Sequence, residues 1–173
     1  MPKPILNVAD VELRRIGHDP DTSAGSNVPE KFQARLGDIG RRIGARKLGY
    51  NLTVVPPGHR AWPFHNHRVN EEMFFVLEGC GEVRIGRETF PIRQGDVIAH
   101  PPSGVDTAHQ IVNTSQAELK YLAVSTRETP EVCDYPDSGK FAVMNVEPGP
   151  DGKPRLWRHA ARDKDGLDYW DGE

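Results

Sequence analysis

Residues 58–79, GHRAWPFHNHRVNEEMFFVLEG, place ligand-type side chains directly before an apolar run. His65 and His67 are two positions apart, and in an extended strand that spacing points both imidazoles to the same face. A turn after His67 would return Glu72 beside them, and His109 is a further candidate ligand later in the chain. Imidazole and carboxylate together favour Zn, Mn, Fe, Co or Ni over Ca or Mg, which prefer all-oxygen shells. The stretch therefore predicts a site for a divalent transition metal.

The rest of the chain is typical of a protein built from many short strands. It has 17 Gly and 15 Pro among 173 residues, and 36% of its residues are hydrophobic. This balance favours strands and turns over long helices. Between residues 46 and 125, short apolar or alternating segments are separated by Gly, Pro, Asn or Ser, which indicates a sandwich or barrel. We therefore predict an all-β fold.

The segments on either side differ from this central part. Residues 1–45 are predicted to form an N-terminal arm and loop packed on the barrel, with a loop at 17–29 and a short helix opened by Pro29. Residues 126–173 are predicted to form a C-terminal extension in which repeated prolines break any long element. Trp157 and Trp170 are expected to anchor this tail on the barrel or on a partner subunit.

Charge and hydropathy narrow the possible partners. The formal net charge is −3, which gives no basis for a nucleic-acid surface or binding to an anionic membrane. The apolar run at 73–77 is too short to span a bilayer, and the first residues lack the apolar core of a signal peptide. We expect a cytoplasmic protein with a small-molecule ligand. Basic residues between 35 and 47 are interpreted as a solvated face, with an anion site as the alternative.

With these residues in place, the sequence resembles the cupin family. The first cupin motif is matched, with one extra residue before the histidine pair, by Gly58, His65, His67, Glu72 and Gly79. The second is matched more loosely by Gly95, Pro102, Gly104, His109 and Asn113. The resemblance implies a double-stranded β-helix, or jelly-roll barrel, over residues 46–125. It also implies a metal held by His65, His67, Glu72 and His109. Glu71 is the alternative carboxylate, and Glu72 is preferred because it keeps the family's spacing to Gly79.

The whole chain, including YPDSGKF at 135–141 and DYWDGE at 168–173, also resembles stand-alone bacterial cupins, some of which are called sugar-phosphate-isomerase-like by analogy. It implies a metal-dependent, isomerase-like enzyme acting on a sugar or sugar phosphate, with no cofactor other than the metal. The alternatives are a mononuclear iron dioxygenase and a noncatalytic small-molecule-binding cupin. No catalytic base is identified, and the conjectures are Glu71, Tyr50 and Lys120. The expected pocket wall is Tyr50, Trp62, Phe64, Phe75 and Tyr121. Many cupins of this size pair, so a homodimer is predicted.

Overall fold

The computed structural model describes residues 3–16, 27–149 and 154–173, and short strands dominate these ranges. The strands are β1 (Arg14–Arg15), β2 (Arg35–Asp38), β3 (Leu48–Val55), β4 (Asn66–His67), β5 (Glu72–Glu78), β6 (Cys80–Ile85), β7 (Glu88–Arg93), β8 (Val97–His100), β9 (His109–Val112), β10 (Leu119–Thr126), β11 (Glu131–Tyr135), β12 (Lys140–Pro148) and β13 (Pro154–Ala161). The α-helix α1 (Gly40–Ile43) and short 3-10 turns at Val8–Asp10, Val105–Thr107, Pro136–Ser138 and Asp163–Asp165 accompany them. None of the helices in these ranges has the length and apolarity to cross a bilayer. The predicted all-β fold is confirmed.

Two sheets enclose the main hydrophobic core. One has the strand order β1-β2-β3-β10-β5-β8, and the other has the order β7-β6-β9. Side chains alternate along each strand, so one side of each sheet contributes to a shared interior. The buried side chains from both sheets include Val55, Phe74, Val76, Val83, Ile92, Ile111, Leu119 and Tyr121. This arrangement is the jelly-roll barrel implied by the resemblance.

A third sheet, with the order β13-β12-β11-β4, is formed largely by the C-terminal segment. The described prolines lie at the ends of its strands, as Pro136 does after β11 and Pro148 does in β12, and they still leave room for strands of nine and eight residues. Pro148 and Pro154 are paired with each other at the end of the β12–β13 hairpin, where the missing N–H groups interrupt the ladder least. Strand β11 also pairs with β4, setting Cys133 opposite His67. The C-terminal sheet is therefore hydrogen-bonded to the strand that carries a candidate ligand.

The segment before β3 also differs from the sequence-based prediction. Instead of a helix opened by Pro29, the chain forms a turn in which the Phe32 N–H donates to the Pro29 carbonyl at 2.9 Å. The helix α1 lies further on and ends at Gly44, which adopts the left-handed conformation with φ +85°. Of the loop predicted at 17–29, residues 17–26 lie outside the described residues.

The aromatic residues near the C-terminus do not pack on the barrel. Tyr169 is 84% exposed, Trp170 is 72% exposed and Trp157 is 47% exposed. The sequence led us to expect that these side chains anchor the tail either on the barrel or on a partner subunit. Their exposure shows that they are not anchored on the barrel of the same chain. Contact with a partner subunit stays a prediction.

Candidate metal site

All four ligands implied by the resemblance border one cavity inside the barrel. The ligand atoms of His65, His67 and Glu72 lie within 4.8 Å of one another. His109 Nε2 is 3.1 Å from Glu72 Oε2, so the fourth side chain joins the same group. The cavity has a volume of about 200 Å³. Residues from both sequence motifs thus converge on one point.

The backbone explains how the two motifs meet. His65 and His109 form an antiparallel bridge: the His65 N–H donates to the His109 carbonyl at 3.1 Å, and the His109 N–H donates to the His65 carbonyl at 2.7 Å. Their ring centroids are 4.8 Å apart. His67 follows two residues later on β4, and Glu72 is the first residue of β5. Glu71 is exposed, so Glu72 is the carboxylate that faces the histidines.

Buried polar atoms without hydrogen-bond partners show that these residues fit an ion. Glu72 Oε2, His109 Nδ1 and His109 Nε2 are buried and have no hydrogen-bond partner. The 3.1 Å contact between Glu72 and His109 brings two atoms together without the geometry of a hydrogen bond. A buried polar atom left unpaired costs about 1–3 kcal/mol, so such convergence points to a bound group between the side chains. Imidazole nitrogens with a carboxylate oxygen suit a divalent transition metal.

The electrostatics of His65 and Glu72 suit metal ligands. Burial, assisted by the charge of His109, lowers the pKa of His65 to about 3. Burial raises the pKa of Glu72, but its contacts with His109 and His67 outweigh burial and hold that pKa well below its usual value. At neutral pH His65 is therefore a neutral imidazole and Glu72 is a carboxylate. These are the protonation states in which both groups bind metal ions.

Glu131, on β11, is a site residue that the sequence did not reveal. Its Oε2 lies 3.3 Å from Nδ1 of His67, the ring nitrogen directed away from Glu72. The residue is only 4% exposed. Its carboxylate accepts hydrogen bonds from the main-chain N–H groups of Arg68, Val69, Asn70 and Val132 and from the Asn70 side chain. Glu131 therefore fixes the ring of His67, as carboxylates do for metal-binding histidines.

Hydrogen bonding dominates the pKa values of this pair. Burial raises the pKa of Glu131, but hydrogen bonds from His67 and Asn70 lower it to about 2. Burial lowers the pKa of His67, but hydrogen bonds to Cys133, Glu131 and Glu72 raise it to about 12. This pKa favours the imidazolium form, so a metal ion bound at Nε2 of His67 would displace a proton from the ring. His67, Glu131 and Cys133 are close enough to be a second metal-type group. Because main-chain donors already occupy the Glu131 oxygens, we assign this group to orienting His67.

The cavity wall differs from the prediction by one residue in two strands. Trp62 and Tyr121 line the cavity as predicted. Asn51 lines it in place of Tyr50, and Phe74 in place of Phe75, because side chains alternate and a slip of one position reverses the face. Phe64 is buried elsewhere, with the Arg84 guanidinium 3.6 Å from its ring centroid.

The three conjectured bases do not line the cavity. Glu71 is exposed, Lys120 pairs with Glu78 at 2.8 Å, and Tyr50 packs against a separate cluster on the outer side of β3. Tyr121 does line the cavity, but burial raises its pKa above the ordinary value of 10. Its hydroxyl therefore stays protonated at neutral pH and is not a base.

The histidine and asparagine near the second motif have structural roles. His100 is 4% exposed and stacks on His109 with ring centroids 3.9 Å apart. Asn113 is fully buried, and its side chain donates to the carbonyls of Val55 and Ala117 at 2.8 and 2.7 Å. Both residues support the position of His109.

A sequence profile assigns the central part of the chain to a family. Residues 51–125 match the sequence profile of the cupin domain family, and this part of the chain is a cupin domain. It extends from within β3 to within β10 and contains all four candidate ligands.

Comparisons with individual proteins extend this assignment. The chain is 36% identical to an uncharacterised protein of Methanocaldococcus jannaschii over 72 residues, which is 42% of this chain and 54% of that protein. It is 31% identical to a protein named polyketide synthase CurC from Streptomyces cyaneus over 80 residues, 46% of this chain and 49% of that protein. The chain thus spans about half the length of the curated relatives it matches.

A solved structure resembles almost the whole chain. It is named as a sugar phosphate isomerase from the cupin superfamily, from Silicibacter pomeroyi. The two proteins are 24% identical, with a TM-score of 0.72 over 97% of this chain and 98% of that chain. At this level of identity the likeness shows the fold alone. The fold in question includes the C-terminal segment as well as the barrel.

Proposed function

We propose that this chain is a cupin that binds a divalent transition metal through His65, His67, Glu72 and His109. The observation that carries the proposal is the buried contact between Glu72 Oε2 and His109 Nε2, which lie 3.1 Å apart without a hydrogen bond. An ion between them would give both atoms a partner. Zn, Mn, Fe, Ni and Co all suit this set of donors.

We further propose a small-molecule site in the barrel and an isomerase-like reaction on a sugar or sugar phosphate. The name of the Silicibacter pomeroyi structure supports the reaction class. A bound ion would supply a Lewis acid for the substrate oxygens. The chain itself contributes the polar side chains of Asn51 and Gln110 and the protonated hydroxyl of Tyr121 to the wall. Gln110 is held in place because its Nε2 donates to the Trp62 carbonyl at 2.7 Å.

Metal content after purification tests the site. We expect the wild-type protein to carry close to one ion per chain and His65→Ala/His109→Ala to carry almost none. His59→Ala/His159→Ala is the matched control, because it also removes two imidazoles, and both of those residues lie outside the cavity. The control should keep the wild-type stoichiometry. A folded His65→Ala/His109→Ala protein with unchanged metal content would overturn the assignment.

The reaction class is tested with sugar phosphates in the presence and absence of oxygen. Isomerisation should proceed equally well in both conditions with Mn or Zn bound. Oxygen consumption that requires iron would replace this proposal with a dioxygenase. Binding without chemical change under either condition would indicate a noncatalytic cupin.

Oligomeric state and location complete the proposal. We propose a homodimer, supported by the exposed aromatic side chains of Tyr169 and Trp170, which contact with a second subunit would bury. Light scattering at micromolar concentration should give the mass of a dimer, and a monomer alone would contradict it. The cytoplasmic location expected from the sequence stays a prediction.

A further inference from the structure

A second, larger cavity borders the metal-type cavity, which is the cavity inside the barrel that the four candidate ligands line. Its volume is about 500 Å³, and Trp62, His65 and His67 line both cavities. The first cavity, at about 200 Å³, is smaller than the roughly 300–1,000 Å³ typical of small-molecule sites. A ligand that reached the candidate metal position would therefore extend into the second cavity.

One face of the C-terminal sheet forms a wall of this second cavity. Alternate residues of each strand line it, as strand geometry requires. They are Cys133 and Tyr135 from β11, Lys140, Ala142 and Met144 from β12, and Arg158 and Ala160 from β13. Most of this wall is apolar or small, so the two cationic side chains are its distinctive chemical feature.

The position of Lys140 relative to the metal-type site follows from two ring contacts. The Tyr135 ring stacks on His65 with centroids 5.9 Å apart and an interplanar angle of 14°. Lys140 Nζ lies 4.9 Å from the centroid of the same Tyr135 ring. These two distances laid end to end place the ammonium group at most about 11 Å from the His65 ring. One small molecule can span that distance.

Arg158, on the neighbouring strand β13, lines the same cavity as Lys140 and Tyr135. Burial has the larger effect on the pKa of Tyr135 and raises it, and the positive charge of Arg158 lowers it. Arg158 is on the same face of β13 as Ala160. The two cations therefore line the same wall of the cavity, and the register sets Arg158 opposite Met144, four residues along β12 from Lys140.

Among the described residues, neither Lys140 nor Arg158 has an acidic partner. Other cations of the chain do: Arg35 pairs with Glu118, and Arg84 with Asp137. Arg35 belongs to the basic segment that the sequence offered as an anion site, and that ion pair favours the solvated-face interpretation. In a chain of net charge −3, cations that face a cavity without a carboxylate partner are suited to an anionic ligand.

We propose that Lys140 and Arg158 form a subsite for a phosphate group on the ligand of the metal-type cavity. A phosphate dianion matches two positive charges, and the planar guanidinium of arginine can donate two parallel hydrogen bonds to it. The subsite rests on the proposed function in one respect, because the rest of the same ligand reaches the candidate ion. The subsite deepens that function by selecting a sugar phosphate over an unphosphorylated sugar.

Calorimetric titration with inorganic phosphate tests the subsite without requiring a substrate or catalysis. We expect Lys140→Met/Arg158→Met to bind phosphate at least about tenfold more weakly than the wild type, since two charge-assisted contacts are lost. Arg155→Met/Lys164→Met is the matched control. It also replaces one arginine and one lysine, but these two residues do not line the cavity. Arg155 lies on the opposite face of β13 from Arg158. The control should bind phosphate as the wild type does.

Further measurements separate this proposal from the metal assignment. Lys140→Met/Arg158→Met should keep the wild-type metal content and urea midpoint, and His65→Ala/His109→Ala should still bind phosphate. Titration with acetate should give much weaker binding than phosphate. Unchanged phosphate affinity in Lys140→Met/Arg158→Met would overturn the subsite, and acetate binding as tight as phosphate would overturn its assignment to phosphate. Neither outcome would alter the metal result.

Discussion

Replacing Glu131 with glutamine removes one negative charge behind His67 while keeping the size of the side chain. Three donors face Oε2 of Glu131: the Asn70 N–H, the Asn70 side-chain amide and His67 Nδ1. Three main-chain N–H groups, from Arg68, Val69 and Val132, face Oε1. Whichever way the glutamine amide is turned, its NH₂ group meets three donors. Hydrogen bonds are therefore lost in either orientation.

The structure sets the size of the effect. A hydrogen bond to a charged group contributes about 1.5–3 kcal/mol. If one of the three donors finds another acceptor, loss of the other two hydrogen bonds still lowers the free energy of unfolding by roughly 3–6 kcal/mol, a large part of the usual 5–15 kcal/mol. The ring of His67 also loses the acceptor that orients it. Removal of such a partner typically weakens metal binding by about 10–100-fold.

Two measurements check this prediction. Urea unfolding of the metal-free protein gives the stability change, and competition with a chelator gives the metal affinity. Asp134→Asn is the control, because Asp134 is on the same strand and binds Arg68 at 2.9 Å and the Asn66 side chain at 3.0 Å, but within the described residues it forms no hydrogen bond or ion pair with His67. We expect the control to bind metal within twofold of the wild type. If folded Glu131→Gln also binds within twofold, Glu131 does not position His67 and the argument fails.

Two further predictions concern pH and the turn before β6. The pKa of Glu131 is lowered from 4.5 to about 2, so its stabilisation of roughly 3 kcal/mol is fully present above pH 4.5 and is lost as the pH falls toward 2. In metal-free protein, the stability difference between wild type and Glu131→Gln should shrink over that range; a constant difference would contradict the prediction. Gly79→Ala should lower stability by at least about 2 kcal/mol, because φ is +85° and the added Cβ would lie 2.4 Å from the Glu118 carbonyl oxygen. Gly95→Ala, at φ +94° with open space around it, should cost only about 1 kcal/mol, and equal urea midpoints for the two variants would show that the close approach at Gly79 is unimportant.

Local spacing was sufficient to predict a sandwich or barrel of short strands and a group of candidate ligands, and the resemblance narrowed the fold to the jelly-roll barrel. His65 and His67 share a face because strands alternate, and their distance from Glu72 leaves room for a turn between two strands. His109 was a further candidate from the sequence, the resemblance added it to the ligand set, and its backbone forms a bridge with His65. The phase of individual strands was less certain. The structure places Asn51 at the cavity instead of Tyr50, and Phe74 instead of Phe75. A shift of one residue reverses the faces of a strand but leaves its apolar content unchanged, so composition does not reveal the phase.

Residues brought in by the C-terminal sheet could not be predicted from local spacing. Glu131 is 64 residues from His67 in the sequence, and no motif links them. Its position depends on the pairing of β11 with β4, and the prolines between 126 and 154 argued only against long elements in that segment, without predicting a sheet. For the same reason, the sequence did not identify Lys140 and Arg158 as residues that line the cavity. Which face of β12 or β13 meets the cavity is decided by that pairing, not by the strands themselves.

The division of the site between the barrel and this sheet bears on how substrate choice is inferred. The cupin domain at 51–125 contains every candidate metal ligand, so likeness within that range concerns the ion and the barrel around it. The carboxylate that holds His67 and the cations that face the second cavity come from residues 131–158, outside that range. A relative that shares only the barrel can therefore share the metal site and still bind a different ligand. We infer that substrate class is better judged from the charge on the cavity-facing side of β12 and β13 than from the His and Glu motif.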